Sequence, residues 1–373
     1  MSVSKVRYFD YAGQFKMYES KFNKIISDVL TRGAFILGSD TVKFENHLAR
    51  FCGSKYAVGV GNCTDAILLS LYAAGIGPGD EVITVSHTFV ATVEVIKFLG
   101  ATPVFVDIDS DHNINVSNVE ALITKKTKAI VPVHLNGKVC NNMDKLINIA
   151  KKHKIIIIED AAQALGAKFK EKKAGTFGLA GCFSFYPAKL LGAFGDAGAI
   201  ITDDRRVAER LKSLRNHGRT HGTAIGEWGL NCRIDNLQAA ILDFKLSKIQ
   251  DFITRRREIA ALYYGGLYQV KELMLPQHSL NEKEYYHVYQ NYEIEAEDRD
   301  RLVKYLKTNS IEVGLPWGGA AVHQFSGLGF SGKGLLRTEQ LFRKVLMLPM
   351  YYGLSDKHIN LVIKAIREFY GRG

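Results

Sequence analysis

Short, continuous apolar runs alternate with amphipathic stretches through the first half of the chain. Ile155–Ile158 is the plainest of them, and Tyr56–Val60, Glu81–Val85, Pro103–Val106, Ala129–Val133, Cys182–Tyr186 and Ala199–Thr202 behave alike. Runs with no polar alternation predict strands covered on both faces. Between them, Ile67–Ala74, Thr88–Leu99 and Met143–His153 predict helices. Upstream, residues 14–52 predict helix in two pieces, broken near Thr31–Ser39. Ser39-Asp40 is placed to cap the second piece, whose apolar positions include Val42, Phe44, Leu48 and Phe51. Past Asp203 come a helix over Arg205–Asn216 and a polar loop, His217–Glu227. A long helix then starts near Asp235, passes Ala239–Leu246 and extends toward Tyr263, with Gly265 and Gly266 to end it. The remainder predicts a strand near Tyr286–Ile294, a helix over Asp298–Thr308 and a closing helix over Lys357–Phe369. An aromatic and glycine-rich stretch, Gly314–Gly334, separates the two helices. The pattern predicts an α/β fold: a mostly parallel sheet covered by helices over 1–250, then a smaller α+β domain over 251–373.

Composition narrows the reading. The chain has 373 residues and is 47% hydrophobic, enough for a sizeable core. It has no apolar run of about 18 residues, so no spanning helix is expected. The start, MSVSKVRYFDYAG, has no apolar leader, so no signal peptide is expected. Cys52, Cys63, Cys140, Cys182 and Cys232 are widely spaced and odd in number. They form neither a metal motif nor a disulfide framework, and free thiols in a cytoplasmic protein are the expectation. The net charge of +11 fits nucleic acid, a membrane surface or an anionic small molecule. Its basic residues are scattered, with short clusters at Lys125-Lys126, Lys151-Lys152 and Arg255–Arg257, and build no recognisable reading element. An anionic substrate or cofactor is the more economical expectation, with no nucleic-acid or membrane partner; a basic surface without a partner stays open.

Candidate chemistry gathers just past the strand ends, where open parallel sheets bind ligands. His87, His134, Asp160 and Lys189 all lie there. Lys189 follows the alternating run Phe183-Ser184-Phe185-Tyr186 and precedes Gly192, Gly195 and Gly198. A lysine on such a loop forms a Schiff base if its surroundings lower its pKa; a solvated surface turn is the alternative. Asp160 ends an apolar strand and calls for a positive or hydrogen-bonding partner; a helix cap is the alternative. No cluster of metal-ligand spacing lies nearby, so no metal is expected. Tyr56–Val60 runs through Gly61-Asn62-Cys63-Thr64-Asp65-Ala66 into a helix, a candidate anion site that matches neither the dinucleotide fingerprint nor the Walker A loop.

Several separated motifs, in order, carry a resemblance. They are Glu159-Asp160-Ala161-Ala162-Gln163-Ala164, Ser184-Phe185-Tyr186-Pro187-Ala188-Lys189, Gly195-Asp196-Ala197-Gly198-Ala199, Asn216-His217-Gly218 and Gly229-Leu230-Asn231-Cys232-Arg233 with Leu237-Gln238-Ala239-Ala240. Over nearly its whole length the chain resembles the DegT/DnrJ/EryC1/StrS sugar aminotransferases. The resemblance implies a fold-type-I transferase that uses pyridoxal 5'-phosphate, with a mostly parallel seven-stranded sheet in its large domain. It implies that Lys189 holds the cofactor covalently and that Asp160 pairs with its pyridinium nitrogen. Gln163 would lie near the 3-oxygen, and Phe89 would stack on the ring. Thr64, the backbone at Asp65 and Ser184 would hold the phosphate. Asn231 would reach the phosphate in the neighbouring subunit, which implies a homodimer with shared active sites. L-glutamate would give the amine, leaving 2-oxoglutarate, and a keto sugar would accept it. Lysine rather than histidine at 189 sets the chain apart from the similar sugar dehydratases.

Two stretches depart from the family pattern and bear on the acceptor. Val133-His134-Leu135-Asn136-Gly137 has asparagine where many members have tyrosine, and Leu315–Phe325 has Trp-Gly-Gly and an adjacent His323-Gln324. His134, Asn136, Trp317 and His323 are therefore the candidate substrate contacts; for His323 a histidine satisfied within its loop, and for Trp317 a core residue, are the alternatives. A nucleotide-linked keto sugar is the first expectation for the acceptor. An unlinked acidic sugar such as an oxidised octulosonate is the second, and a regulator without turnover the third. Arg219 and Arg233 are candidates for the donor's carboxylate by location.

Overall fold

Strands β1 (Tyr56–Val60), β2 (Glu81–Val85), β3 (Thr102–Val106), β4 (Thr127–Ile130) and β5 (Ile156–Asp160) follow the apolar runs closely. A short hairpin, β6 (Lys168–Phe169) and β7 (Lys172–Lys173), precedes β8 (Ala180–Ser184) and β9 (Gly198–Thr202). The structure, a computed structural model, describes residues 5–220, 224–276, 284–330 and 334–371. Parts of two expected loops, residues 221–223 and 331–333, lie outside them. Seven strands form one sheet in the order β1-β9-β8-β5-β4-β2-β3. All run parallel except β9, which is antiparallel to β8 and to β1.

The pleat explains why these runs lack alternation. Val82 and Ile200 pack into a core with Ile67, Leu71 and Leu211 from the helices Cys63–Ala73 and Arg205–Leu214. Their neighbours Ile83 and Ile201 pack on the opposite face with Phe44, Leu48, Met143 and Leu146. Successive side chains point to opposite faces, and both faces are dry.

The rest of the chain builds a second core around strands β10 (Leu273–Met274), β12 (Tyr292–Ala296) and β13 (Val345–Leu348). A two-residue strand, β11 (Tyr285–Tyr286), extends the hairpin β6–β7 instead. Tyr263, Ile294, Leu302, Leu346, Ile359 and Val362 fill this core, and Val6 from the beginning of the chain joins it.

Several expectations are corrected here. The N-terminal region holds three helices, Tyr11–Lys16, Glu19–Arg32 and Ser39–Cys52, not two. Gly38 occupies the cap position of the third; Asp40 lies in its first turn, accepting from Arg32 and Asn236. The long helix after Asp235 is two, Asn236–Leu246 and Ile249–Leu267, parted where Lys248 leaves helical geometry (φ −108°, ψ 3°). Its second half runs through Gly265 and Gly266. A Cβ on Gly266 would stand 2.6 Å from Ile363 Cγ2, so this glycine lets the closing helix approach rather than stopping its own. The strand expected near Tyr286–Ile294 is displaced to Tyr292–Ala296, because Tyr289 turns the backbone to φ 49°. The helix Leu336–Lys344 and β13 fell within sequence with no expectation.

A buried charge cluster ties β12 to the loop after β3. His112 reaches Glu293 Oε1 through Nδ1 (2.8 Å) and Glu295 Oε1 through Nε2 (3.0 Å), and Arg337 pairs with Glu295. Burial opposes the charge on His112, but the two carboxylates win and hold its pKa at about 9. A histidine raised above its ordinary 6.5 stabilises the fold fully below pH 6.5 and loses that contribution as pH rises through about 9. The urea midpoint should therefore fall over that interval. His112→Asn, which suits the φ of 64° there, should flatten the fall relative to the parent. Lys245, held down to about 8 by burial against an ordinary 10.5, works in the opposite direction from about pH 8 upward and overlaps the top of that interval, so the difference between the two proteins is the quantity to measure. Equal slopes would remove His112 from the account.

Candidate active site

A cavity of about 480 Å3 opens where β1, β2, β5 and β8 end. Thr64, Phe89, Asp160, Gln163, Ser184, Lys189 and Trp317 line it, alongside Asn62, Thr88, Thr92 and Tyr186. The parallel sheet thus brings together residues spread over most of the chain at the carboxyl edge of its strands.

Asp160 is the last residue of β5 and is 5% exposed. Its Oδ2 accepts from Thr92 Oγ1 at 2.7 Å, and Thr92 meets Thr88 Oγ1 at 2.7 Å. Its Oδ1 accepts from the Ala162 amide at 3.1 Å. No ion pair engages it among the described residues, so a buried carboxylate faces the cavity with acceptor capacity left for a cationic N–H. Lys189 lines the same cavity. Burial pushes its ammonium below the ordinary lysine range, against the pull of Cys63 and Asp160, which favours the neutral nucleophilic amine.

The loop carrying Lys189 is gripped by distant side chains. Gln290 donates Nε2 to the Ala188 carbonyl (3.0 Å) and accepts from the Leu190 amide (2.7 Å), bracketing the lysine. Gln14 donates to the Pro187 carbonyl at 2.9 Å, and Lys245 reaches the Gly192 carbonyl. A Cβ on Gly192 would sit 2.3 Å from the Pro187 oxygen, so only glycine closes this loop.

The start of the helix Cys63–Ala73 faces the cavity. Its cap, Asn62, accepts from the Asp65 amide at 2.8 Å. The Asp65 backbone, expected on the phosphate, is therefore engaged within the cap. The amides left without intrahelical acceptors are those of Cys63 and Thr64, a ready anion site beside the Thr64 hydroxyl. Ser184 lines the cavity, its Oγ accepting from the Tyr186 amide at 3.3 Å. Phe89, 56% exposed, caps the helix Val90–Phe98 and offers its ring to the cavity.

Gln163 is oriented by its neighbours. Its Oε1 accepts from the Asn136 amide (2.8 Å) and from Asn291 Nδ2 (3.1 Å), so its NH2 group is the end left to donate. Asn136 also bonds Glu293 Oε1 (3.0 Å) and Asn291 (3.0 Å). Proposed above as a substrate contact, Asn136 lies outside the Lys189 cavity and braces Gln163.

His134 is corrected likewise. It is fully buried; its Nδ1 accepts from the Cys140 amide (3.2 Å), so Nε2 carries the hydrogen and donates to Glu159 Oε2 (2.8 Å). Glu159 also accepts from the amides of Gly175 (2.7 Å), Phe177 (2.6 Å) and Gly178 (2.7 Å). Glu159→Gln turns an NH2 toward these donors and should cost about 2–4 kcal/mol of unfolding free energy, read by urea titration. A loss below about 0.5 kcal/mol would contradict the satisfied-carboxylate account. His323 is buried against Ser86 Oγ (2.7 Å from Nδ1) and stays out of the cavity, so its substrate role is withdrawn too. Trp317 does line the cavity, with its other side edge-on to His87. Asn231 is exposed and lies outside its own chain's cavity, and neither Arg219 nor Arg233 lines it. Among the described residues no group of three or more His, Cys, Asp or Glu side chains is arranged to hold a metal ion. No described helix is long and apolar enough to cross a membrane.

The model of the DegT/DnrJ/EryC1/StrS aminotransferase family matches residues 16–367. The chain belongs to that family. It is 39% identical to a pleiotropic regulatory protein of Geobacillus stearothermophilus, over 97% of each chain. It is 38% identical to the dTDP-3-amino-3,4,6-trideoxy-alpha-D-glucose transaminase of Micromonospora megalomicea subsp. nigra, over 92% of this chain and 93% of the other. The X-ray structure of S. venezuelae DesV superposes with a TM-score of 0.94 at 36% identity, covering 99% of both chains. The structure of NtdA from Bacillus subtilis, with bound cofactor PMP, has a TM-score of 0.91 at 27% identity, covering all of this chain and 86% of the other. The chain is a pyridoxal-phosphate-dependent aminotransferase of fold type I. The geometry fits that cofactor: a buried, unpaired carboxylate, a desolvated lysine and a donor-rich helix end line one cavity.

Thr92, Gln14 and Gln290 were not found by sequence reasoning. Thr92 lies one helical turn past Thr88, a spacing that signals a shared face but not its partner. The two glutamines carry no local signal at all.

Proposed function

We propose that this aminotransferase moves the amino group of L-glutamate to the keto group of a nucleotide-linked sugar, working in the cytoplasm as a homodimer with shared active sites. The reading rests on one observation above the rest: Lys189 and Asp160 line a single cavity with the anion-binding start of the helix Cys63–Ala73. The transaminase of Micromonospora megalomicea subsp. nigra, by its name, acts on a dTDP-linked sugar, which supports the acceptor class.

Pyridoxal phosphate supplies the electron sink when bound. The chain supplies the rest. The Cys63 and Thr64 amides with the Thr64 hydroxyl anchor the phosphate, aided by the helix end. Asp160, fixed by Thr92 and Ala162, keeps a proton on the ring nitrogen. Gln163 donates to the 3-oxygen, with Asn136 and Asn291 setting its direction. Phe89 covers the ring. Lys189 Nζ, its pKa pushed down by burial, takes the proton from the donor's Cα and returns one to the acceptor carbon.

Asn231 supports the dimer, since it is exposed and removed from its own cavity. Beside it Trp228 is 90% exposed over an apolar groove of Leu68, Tyr72, Leu99 and Leu214, a face suited to a second copy. The division into domains near residue 250 is proposed with it, the cores on the two faces of the large sheet lying largely before it and the remaining core largely after it.

The test is a half-reaction. The yellow, cofactor-loaded protein should bleach with L-glutamate and recover its colour with a dTDP- or UDP-linked keto sugar. Recovery only with an oxidised octulosonate would overturn the nucleotide-linked acceptor. No bleaching would overturn the donor and favour a regulator.

A further inference from the structure

Lys189 also stands in the wall of a second cavity, of about 410 Å3, set among the N-terminal segment, Phe252 and Tyr351–Gly353. Its charge is lopsided. Beside Lys189, three cationic side chains, Lys16, Lys245 and Arg256, line it with one carboxylate, Asp10. Asp10 is already engaged by Arg7 (2.9 Å) and the Gly13 amide (3.3 Å).

Two of these cations are buried. Lys245 is 4% exposed and gives its ammonium to Gln14 Oε1 (2.8 Å) and to the Gly192 carbonyl. Arg256 is 3% exposed and donates to the carbonyls of Tyr289 (3.0 Å) and Gln290 (2.7 Å). Neither is in an ion pair among the described residues. Buried charges are normally paired, and neutral oxygens satisfy hydrogen bonds without neutralising charge. Burial accordingly pushes Lys245 down to about 8 and Arg256 to about 10. The remaining wall is aromatic, from Phe252, Tyr351 and Tyr352, and suits a short carbon chain.

We infer that this second cavity is the anion subsite of the amino donor, receiving a carboxylate of L-glutamate at Lys245 and Arg256 while the donor's amine meets the Lys189 side of the site. The inference rests on the donor proposed above. An anion here completes the buried cations, and the three-carbon aliphatic chain between the two carboxylates fits aromatic walls. It also gives Gln14 a purpose beyond gripping Pro187, since it aims the Lys245 ammonium.

The test uses the cofactor-loaded protein and glutarate, a dicarboxylate without an amine, in isothermal titration. Two variants are compared with the parent. Lys245→Gln removes a buried cation. Met17→Glu, at a position 39% exposed in the cavity wall, tethers a competing carboxylate without touching the core. Both should weaken glutarate about tenfold, the worth of one charge-assisted contact, and leave thymidine diphosphate binding unchanged. Parent-strength glutarate binding in both variants overturns the subsite, as does a parent that binds no glutarate. Loss of thymidine diphosphate with glutarate retained also overturns it, assigning the cations to the acceptor's phosphates. Bleaching of the parent by L-glutamate is scored separately: bleaching with glutarate-indifferent variants refutes the subsite and keeps the donor, whereas no bleaching refutes the donor itself.

Discussion

Lys189→Ala is expected to give a folded protein with no measurable transamination. Folding should survive because the grip on this loop falls on backbone atoms. Gln14, Gln290 and Lys245 hold the Pro187, Ala188 and Gly192 carbonyls and the Leu190 amide, none of which belongs to the lysine side chain. Removing a desolvated amine also relieves a burial penalty. Function should not survive, because the same nitrogen holds the cofactor and moves the proton. Proton transfer by a positioned side chain is alone worth about 10²–10⁴-fold. With the covalent link lost as well, the half-reaction with L-glutamate should slow by more than about 10⁴-fold. The yellow colour of the lysine-bound cofactor should vanish, while the thermal midpoint stays within a few degrees of the parent, about the effect of 1 kcal/mol or less. Lys189→Arg should be as inactive, since a guanidinium stays protonated at any working pH. Turnover within tenfold of the parent in either variant would sink the assignment.

The parallel strands were legible because a strand with two dry faces has no polar alternation to hide it. Ile156–Asp160 and Gly198–Thr202 were found within a residue or two for that reason. Asp160 and Lys189 were legible because they sit beside strand ends in motifs with strong chemical character. The same rule misled at His134. It also lies just past a strand, but its ring turns inward to Glu159, and only the packed fold decides that direction. Asn136 failed likewise: its backbone adopts φ 58°, which sends its side chain to Glu293 and its amide to Gln163. Gln290 was hidden more deeply. It acts on a loop about a hundred residues earlier in sequence, from a segment that reads as strand and is not one. Helix ends were misread where glycine served packing instead of termination, as at Gly266. Local patterns set elements; long-range hydrogen bonds set the site.

Asp160→Asn is expected to keep the fold and the cofactor but lose most of the rate. The substitution is nearly isosteric, and its surroundings can absorb it. The asparagine oxygen can still accept from the Ala162 amide, now at 3.1 Å from Oδ1. Its NH2 then faces Thr92 Oγ1, which can turn its own hydrogen toward Thr88 Oγ1, 2.7 Å away. The loss is therefore electrostatic. A neutral amide cannot hold a proton on the ring nitrogen in a buried setting, and removing one such preorganised partner typically costs about 10²–10³-fold in rate. A second consequence distinguishes this from general damage. Asp160 is one of the groups that pull the Lys189 pKa upward against burial, so its neutralisation should move that pKa further down. The acid limb of the pH–rate profile for the glutamate half-reaction should shift to lower pH even as the plateau falls. Stopped-flow absorbance across pH would read both. A low plateau with an unmoved limb would leave Asp160 as a structural cap only, and a plateau near that of the parent would remove it from the chemistry altogether.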